Sequence, residues 1–280
     1  MRNKRALQRL FYHIFVAAAC CMMIYPILWM VFSSFKENNE IFQNAHTLWP
    51  KEFHFENYVY GWKGFGGVSF DVFFLNSFIV ALLSTIGAVA SSLLVAYGFS
   101  RIKFRGRQFW FVCMLLTMML PYQIVAIPQY VVFQKLNWIN SFKPLIIPQF
   151  MGQAFFIFLM MQFIRGIPSE LDQSAKIDGC GRYSIFFRII VPLVSPAIIT
   201  STIFSFYWRW DDFFAPLLFL NRPQLYTIPL ALRIFADPTS ISNWSGMLAM
   251  ASLSLVPVLL VFFLFQKYLT EGISTTGLKG

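Results

Sequence analysis

Six apolar segments, each long enough to cross a lipid bilayer, constrain this chain more than any other feature. A helix needs about 20 mostly apolar residues to span about 30 Å of hydrocarbon. Only 12% of the 280 residues are charged, against about 25% in soluble domains, which leaves no room for a large soluble domain. We therefore expect an all-α integral membrane protein with six transmembrane helices, forming one domain over residues 1–280. The predicted spans are 14–32, 76–97, 108–133, 145–164, 197–220 and 247–265.

The fifth predicted span differs from the others because it contains charges. Pro192 and Pro196 interrupt the apolar residues that lead into it. Proline removes a helix hydrogen bond and clashes with the preceding turn. We therefore expect a break at the membrane interface before this span.

The Lys and Arg residues predict the orientation. Cytoplasmic loops carry an excess of these residues. Placing the N-terminus in the cytoplasm puts about twice as many of them inside as outside. We therefore expect both termini, and the polar segment 166–191, on the cytoplasmic side.

The net charge of +10 does not require nucleic acid as a partner. The basic clusters are short and lie at the ends of the spans. Such a rim faces anionic lipid head groups, so the expected partner of this charge is the lipid bilayer.

A polar interruption runs from Pro168 to Gly181 and reads P-S-E-L-D-Q-S-A-K-I-D-G-C-G. Ser169 and Asp172 have the spacing of a capping box, which predicts a helix start. Gly179 predicts the stop, because glycine adopts a left-handed turn at little cost. A helix of under three turns is not stable alone in water, so we expect it to pack against a partner. Helical spacing places Leu171, Ser174, Ala175 and Asp178 on one face. The alternative is an ordinary polar loop between membrane helices.

Catalytic motifs are absent from the sequence. It contains no phosphate-binding G-x-x-x-x-G-K followed by Ser or Thr, no G-x-S-x-G and no H-E-x-x-H. The three histidines, His13, His46 and His54, lack metal-ligand spacing. We expect no catalytic residue, no metal site and no cofactor on this chain. Energy for uphill transport would then arrive from a partner, through a cytoplasmic surface of which 166–191 is the longest.

Several motifs together resemble the permease subunits of bacterial ABC importers for carbohydrates, of the maltose-transporter type. That family carries a cytoplasmic loop with the pattern E-A-A, three residues, D-G, and later I-x-x-P. The matching segments are Gln173-Ser174-Ala175, Asp178-Gly179, Ile189 to Pro192, Pro121 to Pro128, Trp210 to Leu217, Tyr226 to Leu230, and Gly277 to Gly280.

The resemblance implies a type I ABC importer permease fold in the bacterial cytoplasmic membrane. Segment 166–191 would be the coupling loop, seated in a cleft of a cytoplasmic ATPase dimer that binds ATP and Mg²⁺. A second homologous permease would complete the pathway, and an extracytoplasmic solute-binding protein would deliver a sugar. Alternating access between inward-facing and outward-facing states would move it. The implied coupling residues are Glu170, Gln173, Ser174, Ala175, Asp178 and Gly179.

Two coupling residues depart from the family pattern. Gln173 replaces the glutamate and Ser174 the first alanine. A glutamine accepts hydrogen bonds but brings no charge, so its contact with an arginine of the ATPase is weaker. We therefore expect the second permease to carry the stronger coupling contact.

A second group of polar and aromatic residues is a candidate lining of the sugar pathway. Charges within a span are costly and usually face a cavity or a partner. The alternatives are an interhelical ion pair for the charges and hydrogen bonding between helices for the glutamines. Gly87, Ser91 and Ser92 are interpreted as close-packing positions. The candidate pathway residues are Gln123, Gln153, Trp208, Arg209, Trp210, Asp211 and Asp212.

A polytopic channel or an intramembrane enzyme, neither coupled to an ATPase, is the alternative function. An intramembrane enzyme needs Asp, His or Ser clustered at depth, whereas the deep charges here are Arg209, Asp211 and Asp212. The outer segments 36–75 and 221–246 either receive the binding protein or only connect spans. The sequence does not identify the sugar.

Overall fold

The computed structural model describes residues 2–236 and 243–277, with side chains described for 8–236 and 243–267. The described part of the chain is helical, and its one β-feature is an isolated bridge between Phe65 and Val68. Fifteen α-helices are described in these ranges. They are α1 (Arg2–Ser33), α2 (Asn38–Gln43), α3 (Glu56–Trp62), α4 (Phe70–Arg101), α5 (Arg107–Met118), α6 (Tyr122–Lys135), α7 (Lys143–Ile146), α8 (Ala154–Gly166), α9 (Ser169–Ile177), α10 (Arg182–Ile185), α11 (Val191–Leu193), α12 (Ser195–Trp210), α13 (Phe214–Phe219), α14 (Ile228–Phe235) and α15 (Trp244–Gly277). The predicted all-α membrane fold is confirmed.

The number of membrane-crossing segments is consistent with the six predicted spans. Within the described ranges, four segments are long and apolar enough to cross a membrane, and the number rises to six if each of two bent helix pairs is one span. The second predicted span, 76–97, is longer than expected because α4 continues to Arg101. The first and last predicted spans, 14–32 and 247–265, lie within the longer helices α1 and α15.

Three predicted spans, the third, the fourth and the fifth, are not continuous helices. The third, 108–133, is divided between α5 and α6, which meet at 100° across a break that contains Pro121. The fifth, 197–220, ends at Trp210, and α13 follows as a separate helix. Residues 182–193 precede α12 at an angle of 73°, which agrees with the break expected near Pro192 and Pro196.

The fourth span is also interrupted. A 3₁₀ turn at Ile147–Met151 follows α7, and Gly152 then separates it from α8. Gly152 has φ 82° and ψ 147°, a conformation that is essentially restricted to glycine. A non-helical segment therefore lies between the two helical parts of this span.

Small residues of α4 pack against this interrupted segment. Ser92 Oγ accepts from the backbone N–H of Gln153 at 3.0 Å. Ser91 Oγ donates to the Gly87 carbonyl at 2.6 Å and lies 3.4 Å from the carbonyl oxygen of Gln149. A Cβ atom at Gly87 would overlap the ring of Phe150. The interpretation of Gly87, Ser91 and Ser92 as close-packing positions agrees with these contacts.

The chain divides into two compact units, which comprise 1–71 with 232–256 and 72–231 with 257–280. In the first, Lys36 is fully buried and its ammonium donates to the Thr47 carbonyl. Burial lowers the pKa of Lys36, and Glu40 partly opposes that shift. The side-chain amide of Asn57 also donates to the carbonyls of Ser34 and Lys36, so polar contacts fix the segment that follows α1.

In the second unit, the segment before α14 is attached to the start of α4. Asn76 donates to the carbonyls of Gln224 and Tyr226, and Ser77 Oγ accepts from the N–H of Ile228 at 2.8 Å. The Tyr226–Leu230 motif is therefore held by the second span. The predicted outer segment 221–246 includes 237–242, and the C-terminal motif includes 278–280; these residues lie outside the described ranges. The single-domain boundary, 1–280, stays a prediction.

Candidate functional site

The helix α9 lies where the polar interruption predicts a helix, but its N-terminus differs from the prediction. Ser169 is the first helical residue, Pro168 occupies the cap position, and no side chain caps the helix. The capping box proposed for Ser169 and Asp172 is therefore wrong. The spacing is correct for a capping box, but Asp172 is buried and bonds elsewhere.

The C-terminus of α9 agrees with the prediction. Gly179 has φ 81°, in the left-handed region. The N–H of Cys180 donates to the Ala175 carbonyl at 2.8 Å, and the N–H of Gly179 donates to the Lys176 carbonyl at 3.1 Å. These two hydrogen bonds form a Schellman motif. Gly179 therefore ends the helix as the sequence predicts.

The two faces of α9 have different environments. Asp172 and Ala175 are buried. The exposed face carries residues at i, i+3, i+4 and i+7, which are Glu170, Gln173, Ser174 and Ile177. Asp178 and Gly179 are also exposed, so five of the six predicted coupling residues lie at the surface and Ala175 is turned into the core.

Ile177 is an exposed-face residue that the sequence analysis missed. Its side chain is 87% exposed on a helix that is otherwise largely polar on this face. The sequence does indicate this position, because the helical spacing of four residues places Ile177 on the same face as Gln173. The four residues predicted to share one face, Leu171, Ser174, Ala175 and Asp178, include the buried Ala175. The centre of that face therefore lies closer to the buried side of α9 than the centre of the exposed face does.

Arg101, the last residue of α4, is the partner of Asp172. Its Nε lies 3.0 Å from Asp172 Oδ2, and the two side chains are 13% and 11% exposed. Arg101 Nη2 also donates to the Ile167 carbonyl at 2.7 Å. One guanidinium therefore contacts α9 within its first turn and the chain immediately before it.

Apolar side chains continue this attachment. Ala175 belongs to a buried cluster with residues of α4, α8 and the segment after α9, including Phe99, Ile164, Ile185 and Phe186. Cys180 packs against the same cluster. The inner face of α9 is therefore fixed to the second unit, while its outer face is free of contacts within that unit's core.

The candidate pathway charges form a local pair. Arg209 Nη1 lies 3.5 Å from Asp212 Oδ2, three residues along the chain. Asp212 Oδ1 also accepts from the N–H of Ala215 at 3.1 Å. This pair therefore links the end of α12 to the start of α13, rather than two distant helices, and Asp211 beside it is exposed.

The two candidate tryptophans have opposite environments. Trp210 is only 4% exposed, and its ring lies 5.6 Å from that of Phe206 and 5.1 Å from that of Phe78. Trp208 is 40% exposed and stacks on Phe156 at 5.4 Å. Only Trp208 presents open ring surface to a ligand.

Both candidate glutamines lie beside helix breaks. Gln123 is exposed in the first turn of α6, directly after the break at Pro121. Gln153 precedes α8, and its amide donates to the Gln149 side chain. Broken helices line binding sites in many transporters, because their backbone groups are released from helical pairing. In the described ranges, no cluster of three or more His, Cys, Asp or Glu residues could hold a metal.

Comparison with known proteins finds relatives along nearly the whole chain. The probable ABC transporter permease YurM of Bacillus subtilis is 36% identical over 91% of this chain and 84% of its own length. The permease AraQ of the same organism, named for arabinooligosaccharide transport, is 31% identical over 92% of each chain. A chain in the crystal structure of a bacterial ABC transporter involved in the import of the acidic polysaccharide alginate has the same fold, with a TM-score of 0.79, 20% identity, and coverage of 96% of this chain and 98% of the other.

The family model described as the binding-protein-dependent transport system inner membrane component matches residues 88–275. This range includes α9, the segment after it and the last four membrane-crossing segments. The resemblance stated from the sequence motifs is confirmed. The chain is a multi-pass membrane protein, and it belongs to the family of binding-protein-dependent transport system inner membrane components.

Proposed function

We propose that this chain is a permease subunit of an ATP-driven importer in the bacterial cytoplasmic membrane. It would form half of a pathway for a sugar or oligosaccharide that an extracytoplasmic binding protein delivers. A second homologous permease would supply the other half. Two copies of a cytoplasmic ATPase would bind ATP and Mg²⁺ and supply the energy.

The observation that carries the proposal is the geometry of α9. Its inner face is anchored through Asp172 and Ala175, and its outer face exposes Gln173 and Ile177. An isolated nine-residue helix is marginal in water, and here tertiary contacts hold it. Such a helix is suited to insert into a cleft on a partner without unfolding.

The membrane orientation inferred from the Lys and Arg residues also supports the proposal. The excess of Lys and Arg supports placing α9 on the cytoplasmic side, together with both termini. An ATPase could reach α9 only from that side. The outer segments around Lys36 and Tyr226 would then face the binding protein.

Transport would follow from alternating access. Closure of the ATPase dimer would move α9, and the membrane helices attached to α9 would change from inward-facing to outward-facing. A ligand shifts such an equilibrium only by its difference in affinity for the two states. The loaded binding protein would favour the outward-facing state. ATP hydrolysis by the ATPase would return the permease to the inward-facing state.

A carbohydrate substrate is supported by the relatives and by the side chains beside the helix breaks. AraQ is named for arabinooligosaccharides, and the structural neighbour imports the polysaccharide alginate. Gln123 and the half-exposed Trp208 are a neutral hydrogen-bonding group and an open aromatic face. Both suit sugar hydroxyls and sugar rings better than ions.

Purification of the tagged chain from its native membrane tests this function. We expect an ATPase with a phosphate-binding loop and a second permease to be recovered in fixed ratio, and ATP hydrolysis to rise when the loaded binding protein is added. Recovery of the chain without an ATPase, but with ion conduction or a catalytic activity, would favour the channel or intramembrane enzyme.

A further inference from the structure

The last residue of α4 is attached to both sides of the start of α9. Arg101 Nη2 bonds the Ile167 carbonyl, two residues before α9, and Nε lies beside the Asp172 carboxylate within its first turn. The contact spans 71 positions of sequence, so it is a tertiary link and not a turn within a loop. Arg101 is also the end of the 32-residue helix that packs against the interrupted fourth span.

The ion pair is largely buried, and its hydrogen bonding is incomplete. Asp172 Oδ1 and Arg101 Nε have no hydrogen-bond partner in the described part of the chain, so Nε and Oδ2 form an ion pair without a hydrogen bond. A buried ion pair is a poor source of stability, because desolvation offsets the attraction between the charges, but removing one partner is strongly unfavourable. This pattern is typical of a link that fixes the geometry between two elements.

A second contact lies on the other side of α9. Tyr97, one turn before Arg101, lies with its ring 5.0 Å from that of Phe186, and its hydroxyl donates weakly to the Arg182 carbonyl at 3.4 Å. The end of α4 therefore holds the chain both before and after α9. A displacement of α9 without α4 would break both sets of contacts.

We infer that Arg101 and Asp172 are positioning residues that make α9 and α4 move as one rigid body during the transport cycle. The inference rests on the proposed function, because it takes α9 to be the helix that an ATPase moves. It adds the route by which that movement enters the membrane: along α4, to the small-residue face that contacts Gln149, Phe150 and Gln153. From the sequence, the basic residues at the ends of the spans, Arg101 among them, were assigned only to a rim facing lipid head groups.

A distance measurement tests the inference on the complete complex with its co-purified partners. Spin labels at Lys176→Cys on α9 and Leu82→Cys on α4, in a background without the native cysteines, report the separation of the two helices. The separation is compared without nucleotide and after trapping with MgATP and vanadate. We expect no change in the otherwise unmodified complex, and a shifted or broadened distribution after trapping in Asp172→Asn.

Two further variants distinguish loss of the link between α4 and α9 from failure of the protein to fold. Arg101→Met with Asp172→Leu removes both charges, so that neither is left buried alone, and should still assemble while the separation changes on trapping. Lys103→Gln removes an exposed positive charge two residues beyond α4 and should behave as the parent. Basal ATP hydrolysis, measured without the binding protein, should stay within about twofold of the parent in Asp172→Asn, because the outer face of α9 is intact.

The possible outcomes are distinct. An unchanged separation in both Asp172 variants would overturn the inference. Failure of these variants to assemble, or loss of basal ATP hydrolysis, would assign the pair to assembly or docking and would also overturn it. Absence of a co-purified ATPase from the parent complex would instead contradict the proposed function itself.

Discussion

The ring of Phe150 lies against Gly87, so that a Cβ atom built on Gly87 would be 2.4 Å from the ring Cδ2 atom. No side chain larger than hydrogen fits there without moving the ring. Phe150 belongs to the 3₁₀ turn that interrupts the fourth span. The contact therefore fixes the second span against the non-helical part of the fourth.

Replacing Gly87 with alanine tests this contact. We expect Gly87→Ala to be less stable than the control below, by at most about 1–3 kcal/mol, which is the cost of overpacking an enclosed core, because Phe150 is 51% exposed and its ring can shift. Gly98→Ala on the same helix is the matched control, because its Cβ would meet nothing within 4 Å. That control should lose no stability and could gain up to about 1 kcal/mol. Thermal unfolding of the two variants in detergent would measure the difference, and equal stability would contradict the packing.

Gly179 gives a second glycine comparison, at the end of α9. Alanine at a left-handed position costs roughly 1–2 kcal/mol, so Gly179→Ala should weaken the Schellman motif. Hydrogen exchange at the amides of Gly179 and Cys180 should become faster by about tenfold or more, since 1.4 kcal/mol corresponds to a factor of ten. Gly181→Ala, at φ −74° and with open space around its Cβ, should leave exchange unchanged. Equal exchange in the two variants would contradict the motif.

Gln173 allows a test of how strongly this subunit couples. Charge-assisted hydrogen bonds are roughly twice as strong as neutral ones, so Gln173→Glu should increase the stimulation of ATP hydrolysis by the loaded binding protein. Gln134→Glu adds the same charge at an exposed position at the end of α6 and should have no effect. Unchanged stimulation in Gln173→Glu would count against the expectation that the second permease carries the stronger contact.

Alanine variants of Trp210 and Trp208 should distinguish a tryptophan that packs the core from one that contacts substrate. The Trp210 ring is buried between phenylalanines, so Trp210→Ala should cost about 3–5 kcal/mol of stability. Transport by the remaining folded protein should stay normal. Trp208→Ala should retain most stability but weaken transport if its open face contacts sugar. Uptake of labelled sugar, normalised to assembled complex, distinguishes the two. Normal transport in both variants would remove the pathway role of these tryptophans.

Features that depend on local sequence were predicted well. The apolar segments follow from the length that a bilayer requires, and the stop at Gly179 follows from the conformational freedom of glycine. The small size of Gly87, Ser91 and Ser92 indicated close packing, although the sequence did not identify Phe150 and Gln153 as their neighbours.

Features that depend on distant partners were predicted poorly. Asp172 matched a capping box because that pattern is local, but the carboxylate turns toward Arg101, which is far away in sequence. The same orientation of α9 about its axis places Ala175 in the core and leaves Ile177 exposed to solvent. The breaks at Pro121 and Gly152 lie within continuous apolar segments, and hydrophobicity alone does not distinguish a straight span from a broken one.

Crosslinking from the outer face of α9 is the most direct test of the central claim, that a separate ATPase drives this permease through α9. A photoreactive amino acid would be placed at position 177, and, as a control, at exposed position 134 on α6. In the complex in native membranes, position 177 should link to a polypeptide whose peptides include a phosphate-binding loop, and position 134 should not. A complex that hydrolyses ATP but shows no ATPase linked to position 177 would contradict the account.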